Sequence, residues 1–175
     1  MKSNTFMGAS AFAALIFSGS AAFADPSGDP APVKHENGRY YDKAGNPTFK
    51  VQKDGTVDWA TYSGFRRYHA ECHVCHGPDA EGSTYAPALK DSLKRLNYAE
   101  FYGIVVGGKQ TLGGGQEKVM PAFGDNKNVM CYIDDIYTYL RARADGAVGR
   151  GRPPRREDKE AVSIKAEDAC LGQKS

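Results

Sequence analysis

The sequence lacks the long apolar segments of a membrane protein and the charge imbalance of a protein that binds polyanions. Beyond its first 24 residues, no segment approaches the roughly 18 consecutive apolar residues that a membrane-spanning helix needs. Charge is nearly balanced, with 23 Lys and Arg against 21 Asp and Glu over 175 residues. Such a balance favours neither nucleic acid nor a membrane surface as a partner. The length suits one domain.

The first 24 residues have the pattern of a secretory signal peptide. Lys2 supplies a short positive region, an apolar stretch runs from Phe6 to Phe17, and Ala22-Phe23-Ala24 forms a small-x-small cleavage site. The stretch is too short and wrongly flanked for a membrane span, although a retained N-terminal anchor is the alternative. We therefore expect an exported, periplasmic chain of residues 25–175, which holds 22 basic and 21 acidic residues.

Cysteine is scarce, and two of the four cysteines form the most informative motif in the chain. Cys72-His73-Val74-Cys75-His76 reads C-x-x-C-H, the pattern to which a c-type haem is attached. Two thiols at this spacing can form thioether bonds with the two vinyl groups of one porphyrin. The histidine that follows is then held under the iron and can donate an imidazole nitrogen. The motif predicts one covalent haem c, with His76 as the proximal ligand.

Two other interpretations of the Cys72–Cys75 pair are a redox dithiol and half of a zinc site. A thioredoxin-type dithiol belongs in a βαβ pattern, which is missing around residue 72. A structural zinc site needs a second ligand pair, but Cys131 and Cys170 are far apart and isolated. In an exported chain, this remaining pair most simply forms a disulfide. Free thiols or pairing between chains are the alternatives.

The rest of the chain divides into a lead-in, a helical region and a polar tail. Residues 25–57 are rich in turn signals and predict an extended lead-in with at most a small hairpin, including a short strand at Thr48–Val51. Residues 58–145 carry the helical patterns and the haem motif. Residues 146–175 have no apolar periodicity, so composition predicts a disordered tail, which a bond to Cys170 would hold against the last helix.

Capping residues and apolar spacing predict the helices between 58 and 145. Asp58 is placed to cap a helix that runs into the haem motif, and Asn97 with Glu100 resembles a capping box. A short helix is expected over 90–96 and a long loop over 109–125. Asn126 or Asn128 caps a last helix that ends at Gly146, and its predicted apolar face consists of Val129, Ile133, Ile136, Tyr137 and Leu140.

The arrangement of these features resembles the class I cytochromes c over roughly residues 58–145. The resemblance rests on Gly64, Tyr68 and Cys72 at intervals of four, on the C-x-x-C-H motif, on Met120 before a proline, and on the segment Ile136–Leu140. It implies an all-α fold around one covalent haem, with N- and C-terminal extensions. In that family a glycine of the first helix, here Gly64, admits an aromatic side chain of the last helix, here Tyr139.

A narrower similarity is to the four-cysteine cytochromes c of methylotrophic bacteria. It rests on Arg66–Pro78, on Tyr85–Leu89 and on the two additional cysteines. Among these proteins, the chain is similar to cytochromes that accept electrons from the lanthanide-dependent, pyrroloquinoline-quinone methanol dehydrogenase. The resemblance implies a monomeric one-electron carrier, not an enzyme, that passes electrons to another cytochrome c or a terminal oxidase. Another periplasmic dehydrogenase is the alternative donor.

The sixth iron ligand decides whether the site is closed or open. Met120 is the leading candidate, because a thioether suits low-spin iron and raises the reduction potential when paired with histidine. The resemblance also implies that the Pro87 carbonyl holds the other ring nitrogen of His76. An open site would instead indicate a haem peroxidase or a gas-binding protein. The rival ligands are Met130, His69, His73 and His35.

Aromatic and basic residues around the haem motif are candidates for the pocket and for a docking surface. A basic rim next to an exposed haem edge would steer an acidic partner, whereas a solvated surface is the alternative. The candidate pocket residues are Trp59, Tyr85, Tyr98, Phe101, Tyr102 and Phe123. The candidate basic residues are Lys90, Lys94, Arg95, Lys109 and Lys118, followed by Arg141, Arg143, Arg150, Arg152, Arg155 and Arg156.

Overall fold

A computed structural model of the chain describes residues 28–111 and 118–173. The predicted signal peptide over 1–24 and the glycines at 113–115 lie outside these ranges. The described helices are α1 (Trp59–Glu71), α2 (His73–His76), α3 (Leu89–Ser92), α4 (Tyr98–Gly107), α5 (Lys127–Met130), α6 (Ile133–Ala144) and α7 (Ala161–Leu171). The described strands are β1 (Lys34–Glu36), β2 (Arg39–Tyr41), β3 (Pro47–Thr48), β4 (Lys109–Thr111) and β5 (Lys118–Met120). The predicted helical class is confirmed, with two small sheets in addition.

Local signals determine where α1 and α4 begin. The Asp58 carboxylate accepts the Thr61 backbone N–H at 2.9 Å, so the predicted N-cap of α1 is confirmed. Asn97 and Glu100 form the predicted capping box at the start of α4. The helix expected over 90–96 is α3, which is shorter, spans Leu89–Ser92 and is followed by a turn at residues 93–95.

The crossing of α1 and α6 is the central contact of the fold. A Cβ atom added at Gly64 would lie 1.8 Å from the Asp135 carbonyl oxygen and 2.8 Å from the Tyr139 Cβ. The two backbones therefore meet where α1 has no side chain, as the resemblance implies. The predicted apolar face of the last helix is buried throughout. That helix is divided into α5 and α6 by a turn at Cys131 and Tyr132.

The N-terminal lead-in is more structured than the sequence predicts. Strands β1, β2 and β3 form an antiparallel sheet, and the strand expected at Thr48–Val51 is shifted to Pro47–Thr48. This sheet packs against α6 through a buried ion pair between Asp42 and Arg141, whose closest atoms are 2.7 Å apart. The pairing depends on a residue 99 positions away, so local turn signals could not reveal it.

The C-terminal segment contains α7, a helix that the sequence analysis does not predict. The Sγ atoms of Cys131 and Cys170 form a disulfide that attaches the last turn of α7 next to the C-terminus of α5. Glu167 also lies 2.5 Å from the Lys159 ammonium and 4.0 Å from the Arg67 guanidinium. No side chain of α7 is buried, so the helix has no apolar periodicity to detect.

The predicted long loop over 109–125 contains a β-hairpin. Strands β4 and β5 pair in antiparallel register, with Lys109 opposite Met120 and Thr111 opposite Lys118. Both strands are largely exposed, so the alternation of buried and exposed side chains that identifies a strand is missing. Among the described residues, no helix is long and apolar enough to cross a membrane.

Candidate haem site

The two motif cysteines lie where α1 turns into α2. Cys72 caps the end of α1, donating its backbone N–H to the Tyr68 carbonyl at 2.9 Å. Cys75 is exposed, whereas Cys72 is half-buried, and burial raises the pKa of the Cys72 thiol to about 12. Cys131 and Cys170 are bonded to each other and cannot supply a second ligand pair, so the zinc interpretation loses support.

His76 has the geometry of an oriented ligand. Its residue is 7% exposed, and its Nδ1 donates to the Pro87 carbonyl oxygen at 2.9 Å. Because a carbonyl only accepts, the proton must be on Nδ1, and Nε2 is left with the lone pair that can bind a metal. The partner that the resemblance implies for His76 is therefore the one observed.

The loop after His76 is folded back onto the motif by contacts that the sequence analysis did not identify. The Tyr68 hydroxyl donates to the Gly77 carbonyl at 2.5 Å, and Gly82 donates its N–H to the His76 carbonyl at 2.8 Å. The Ser83 hydroxyl donates to the Cys75 carbonyl. Gly77 has a φ of +73°, and a Cβ there would lie 2.2 Å from the Gly82 carbonyl oxygen. These contacts bring the Pro87 carbonyl to the imidazole.

Met120 ends β5, and its segment is attached to the C-terminus of α4. Phe123 donates its N–H to the Val105 carbonyl at 2.9 Å, and Gly124 donates to Val106 at 3.2 Å. Gly108 has a φ of +73°, and a Cβ there would lie 2.7 Å from the Met120 carbonyl oxygen. The Met120 side chain is half-buried against the core. The backbone at Met120 and just after it is thus held by Gly108 and by the end of α4.

The rival ligands have other surroundings. Met130 is in α5 and packs against the core. The Nδ1 of His69 bonds the Phe65 carbonyl at 2.8 Å, and that of His73 bonds the His69 carbonyl at 2.5 Å, so both rings turn back towards the backbone of α1. His35 is in β1, 3.1 Å from Glu160. None of these contacts directs a ring towards the His76 imidazole.

The candidate pocket residues fall into three groups. Trp59 is a correction, because it lies at the opposite end of α1 from Cys72 and packs under the Arg156 guanidinium at 4.9 Å. The rings of Tyr98 and Phe101 pack against Tyr137, with centroids 4.9 and 5.2 Å apart, in the core between α4 and α6. The remaining candidates are more open, namely Tyr85 at 76% exposure, Tyr102 at 40% and the half-buried Phe123.

Two of the predicted docking arginines are buried and cannot contact a partner. Arg141 is 2% exposed and Arg143 is 8% exposed. Arg141 pairs with Asp42, and Arg143 donates to two backbone carbonyls and to Glu81. This burial could not be predicted from the sequence, because arginine side chains are usually exposed. In the predicted rim, Lys90 and Lys94 pair with Glu81 and Asp91.

The residues present fit a covalently attached haem. An exposed Cys75 and a half-buried Cys72 precede an oriented imidazole, and large apolar side chains remain exposed on the segments around them. These are Val74 at 73%, Tyr85 at 76% and Val119 at 64% exposure. A large apolar cofactor would cover such side chains. Within residues 28–111 and 118–173, no group of three or more Cys, His, Asp or Glu could hold a separate metal ion.

Comparison with known proteins agrees with this chemistry. Residues 60–140 match the family model described as cytochrome c oxidase, cbb3-type, subunit III. Cytochrome c-553I of Paracoccus denitrificans is 56% identical over 147 residues, covering 83% of this chain and 65% of that protein. Cytochrome c-555 of Methylococcus capsulatus is 43% identical over 96 residues, covering 54% of this chain and 72% of that protein.

A solved structure is similar over most of both chains. The c-type cytochrome XoxG from Methylobacterium extorquens AM1 is 64% identical, with a TM-score of 0.75. The similarity covers 81% of this chain and 87% of that one. Together with the motif geometry, these relationships show that the chain belongs to the c-type cytochromes, electron-transfer proteins that carry covalently bound haem c and are not enzymes.

Proposed function

We propose that this chain is a periplasmic one-electron carrier in which Cys72 and Cys75 hold a single haem and His76 and Met120 bind its iron. The observation that carries the proposal is the geometry of the His76 imidazole. His76 directly follows Cys75 in the sequence, is buried, and donates a hydrogen bond from its Nδ1 to the Pro87 carbonyl. This bond leaves the Nε2 lone pair of His76 free to bind the iron.

The residues of the chain hold the site rigid while its charge changes. When bound, haem c supplies an iron that takes up and releases one electron. The Pro87 carbonyl fixes the plane and tautomer of His76, and the bonds from Tyr68 and Gly82 keep that loop in place. On the other side, the bonds of Phe123 and Gly124 to α4 hold the Met120 segment. A site that moves little between oxidation states exchanges electrons readily.

The donor we propose is a pyrroloquinoline-quinone methanol dehydrogenase of the lanthanide-dependent type, and the acceptor is another cytochrome c or a terminal oxidase. The support is the similarity to the four-cysteine cytochromes of methylotrophic bacteria, together with relatives from Paracoccus, Methylococcus and Methylobacterium. Export to the periplasm is supported by the signal-peptide pattern of the first 24 residues.

Replacement of the methionines tests the sixth ligand. Met120→Ala should abolish the weak far-red sulfur-to-iron band of the oxidised protein and allow carbon monoxide to bind the reduced protein. Met130→Ala is the matched control and should retain the band, since Met130 packs in α5. If the band survives in Met120→Ala and is lost in Met130→Ala, Met120 is not the ligand.

Stopped-flow reduction tests the donor. The oxidised cytochrome should be reduced rapidly by lanthanide-loaded methanol dehydrogenase in the presence of methanol, and the second-order rate should fall as ionic strength rises. A quinoprotein dehydrogenase for another alcohol serves as the control donor. Faster reduction by the control enzyme would overturn the proposed donor but leave the electron-carrier assignment intact.

A further inference from the structure

Asp79 has a conformation and surroundings that the proposed ligands do not explain. It lies three residues after His76 with φ and ψ of 57° and 23°, and Ala80 follows with a φ of 63°. Left-handed backbone is tolerable for Asp but unfavourable for Ala, which has no side chain to bond locally. Both residues are buried, with exposures of 7% and 0%. Strained backbone of this kind persists only where its surroundings enforce it.

Asp79 contacts three other parts of the chain, namely α1, α6 and the segment after α6. Its Oδ1 accepts the Gly151 backbone N–H at 2.9 Å and lies 3.5 Å from the His69 Nε2 in α1. Its Oδ2 lies 3.6 Å from the Nε of Arg150. Its backbone carbonyl accepts from the Nε of Arg143 in α6 at 3.0 Å. The loop that follows His76 is therefore connected to the segment after α6.

Most of these partners lie outside the part of the chain that the family model matches. The match ends at residue 140, whereas Arg143, Arg150 and Gly151 come later. Arg143 also donates to the Val148 carbonyl at 2.8 Å and to Glu81 at 2.7 Å, so it bridges the same two segments. The segment after α6 thus directly contacts the loop that follows His76.

We propose that Asp79 is a positioning residue, through which the C-terminal extension holds the loop after His76 and places a buried negative charge on the proximal side of the haem. The inference rests on the proposed ligation by His76. A carboxylate in a low-dielectric environment favours the oxidised site, which carries one more positive charge, over the reduced site. The charge of Asp79 therefore lowers the reduction potential, and the adjacent cations of Arg143 and Arg150 oppose it.

Isosteric replacement tests the charge. Asp79→Asn keeps an oxygen that can accept the Gly151 N–H but removes the negative charge, so the reduction potential should rise. Arg150→Gln should change the potential in the opposite direction and by less, because the Arg150 side chain is 70% exposed and screened by solvent. Asp54→Asn is the matched control, since Asp54 also accepts a backbone N–H and pairs with an arginine, but is exposed and precedes α1.

The two parts of the proposal have separate readouts. An unchanged or lower potential in Asp79→Asn, with the Asp54→Asn control also unchanged, would overturn the charge effect. Hydrogen exchange tests the mechanical role: in Asp79→Ala the Gly151 amide should exchange about tenfold faster, whereas Asp79→Asn should retain its protection. Equal protection in Asp79→Ala and the parent protein would overturn that role. Absence of covalent haem from the parent protein would instead reject the proposed function.

Discussion

At the scale of single residues, this protein is constrained most where two backbones meet or turn sharply. Gly64 allows α1 to contact α6, and Gly77 and Gly108 allow the chain to turn beside His76 and Met120. Gly64 has ordinary helical geometry, so its constraint is space alone, whereas the other two also have a positive φ. The positions of the proposed ligands His76 and Met120 therefore depend on glycines in the neighbouring backbone.

Gly64→Ala should destabilise the protein by about 3 kcal/mol, because its Cβ would lie 1.8 Å from the Asp135 carbonyl oxygen and force α1 away from α6. Gly103→Ala is the control: it also lies in a helix, but nothing is within 4 Å of its added Cβ. That variant should be roughly 0.5–1 kcal/mol more stable, since alanine favours helix. Urea denaturation of both variants measures the difference. Equal stabilities would contradict the close crossing.

The residues whose role could be predicted from the sequence are those that depend on near neighbours in the chain or on a family pattern. The Asp58 cap, the Asn97 capping box and the Gly64 position follow from neighbours within one or two helical turns or from a family pattern. Prediction from the sequence failed for Arg141 and Arg143, because their burial depends on partners such as Asp42 that are far away in the chain. Asp79 was missed for the same reason, since Gly77-Pro78-Asp79 signals only a turn.

At the scale of elements, α7 differs from the other long helices in how it is held. None of its side chains is buried, so its attachment relies on the Cys131–Cys170 disulfide and on ion pairs at its surface. The helix α1, in contrast, has six buried residues and α6 has ten. Periodicity could predict α1 and α6 but not α7, because only an element that buries one face shows a periodic pattern.

Removal of the disulfide should release α7 before the rest of the fold. The bond closes a sequence separation of 39 residues, which corresponds to about 4 kcal/mol in the chain-entropy model. In a Cys131→Ser, Cys170→Ser double variant, amide protons of α7 should exchange rapidly while those of α1 and α6 stay protected. Retained protection of α7 would show that its surface contacts suffice.

The ion pairs of α7 should make its attachment sensitive to acid. Burial alone would raise the pKa of Glu167, but the hydrogen bond and charge of Lys159 and the charge of Arg67 bring it below its usual value of 4.5. The ionised form is favoured in the folded state, so this stabilisation is present above pH 4.5 and is lost as the pH falls through the lowered pKa.

Glu167→Gln should therefore cost about 0.5–1 kcal/mol at pH 7 and much less below pH 4. Chemical denaturation of the variant and the parent protein at both pH values measures the two differences. Glu160→Gln is a suitable control, because Glu160 is half exposed and pairs with His35 at the other end of the same segment. A cost for Glu167→Gln that stays constant with pH would contradict the lowered pKa.

At the scale of the whole molecule, the chain is a helical haem domain bound by extensions at both ends. The N-terminal sheet packs on α6 through the ion pair of Asp42 and Arg141. The C-terminal segment contacts the loop after His76 through Asp79, and its Cys170 forms a disulfide with Cys131 at the end of α5. The domain core follows from the motif and the helical patterns. The Cys131–Cys170 disulfide was predicted, but the sheet and α7 could not be predicted, because ion pairs between residues far apart in the chain hold them.

The central claim is that Cys72 and Cys75 bind one haem covalently, and extraction of the matured protein with acidified organic solvent tests it most directly. The account predicts that the colour remains with the polypeptide and that its pyridine haemochrome spectrum is that of a haem with two thioether bonds. In a Cys72→Ala, Cys75→Ala variant, any haem should be extracted. A colourless parent protein, or a haem that is released by the solvent, would contradict the account.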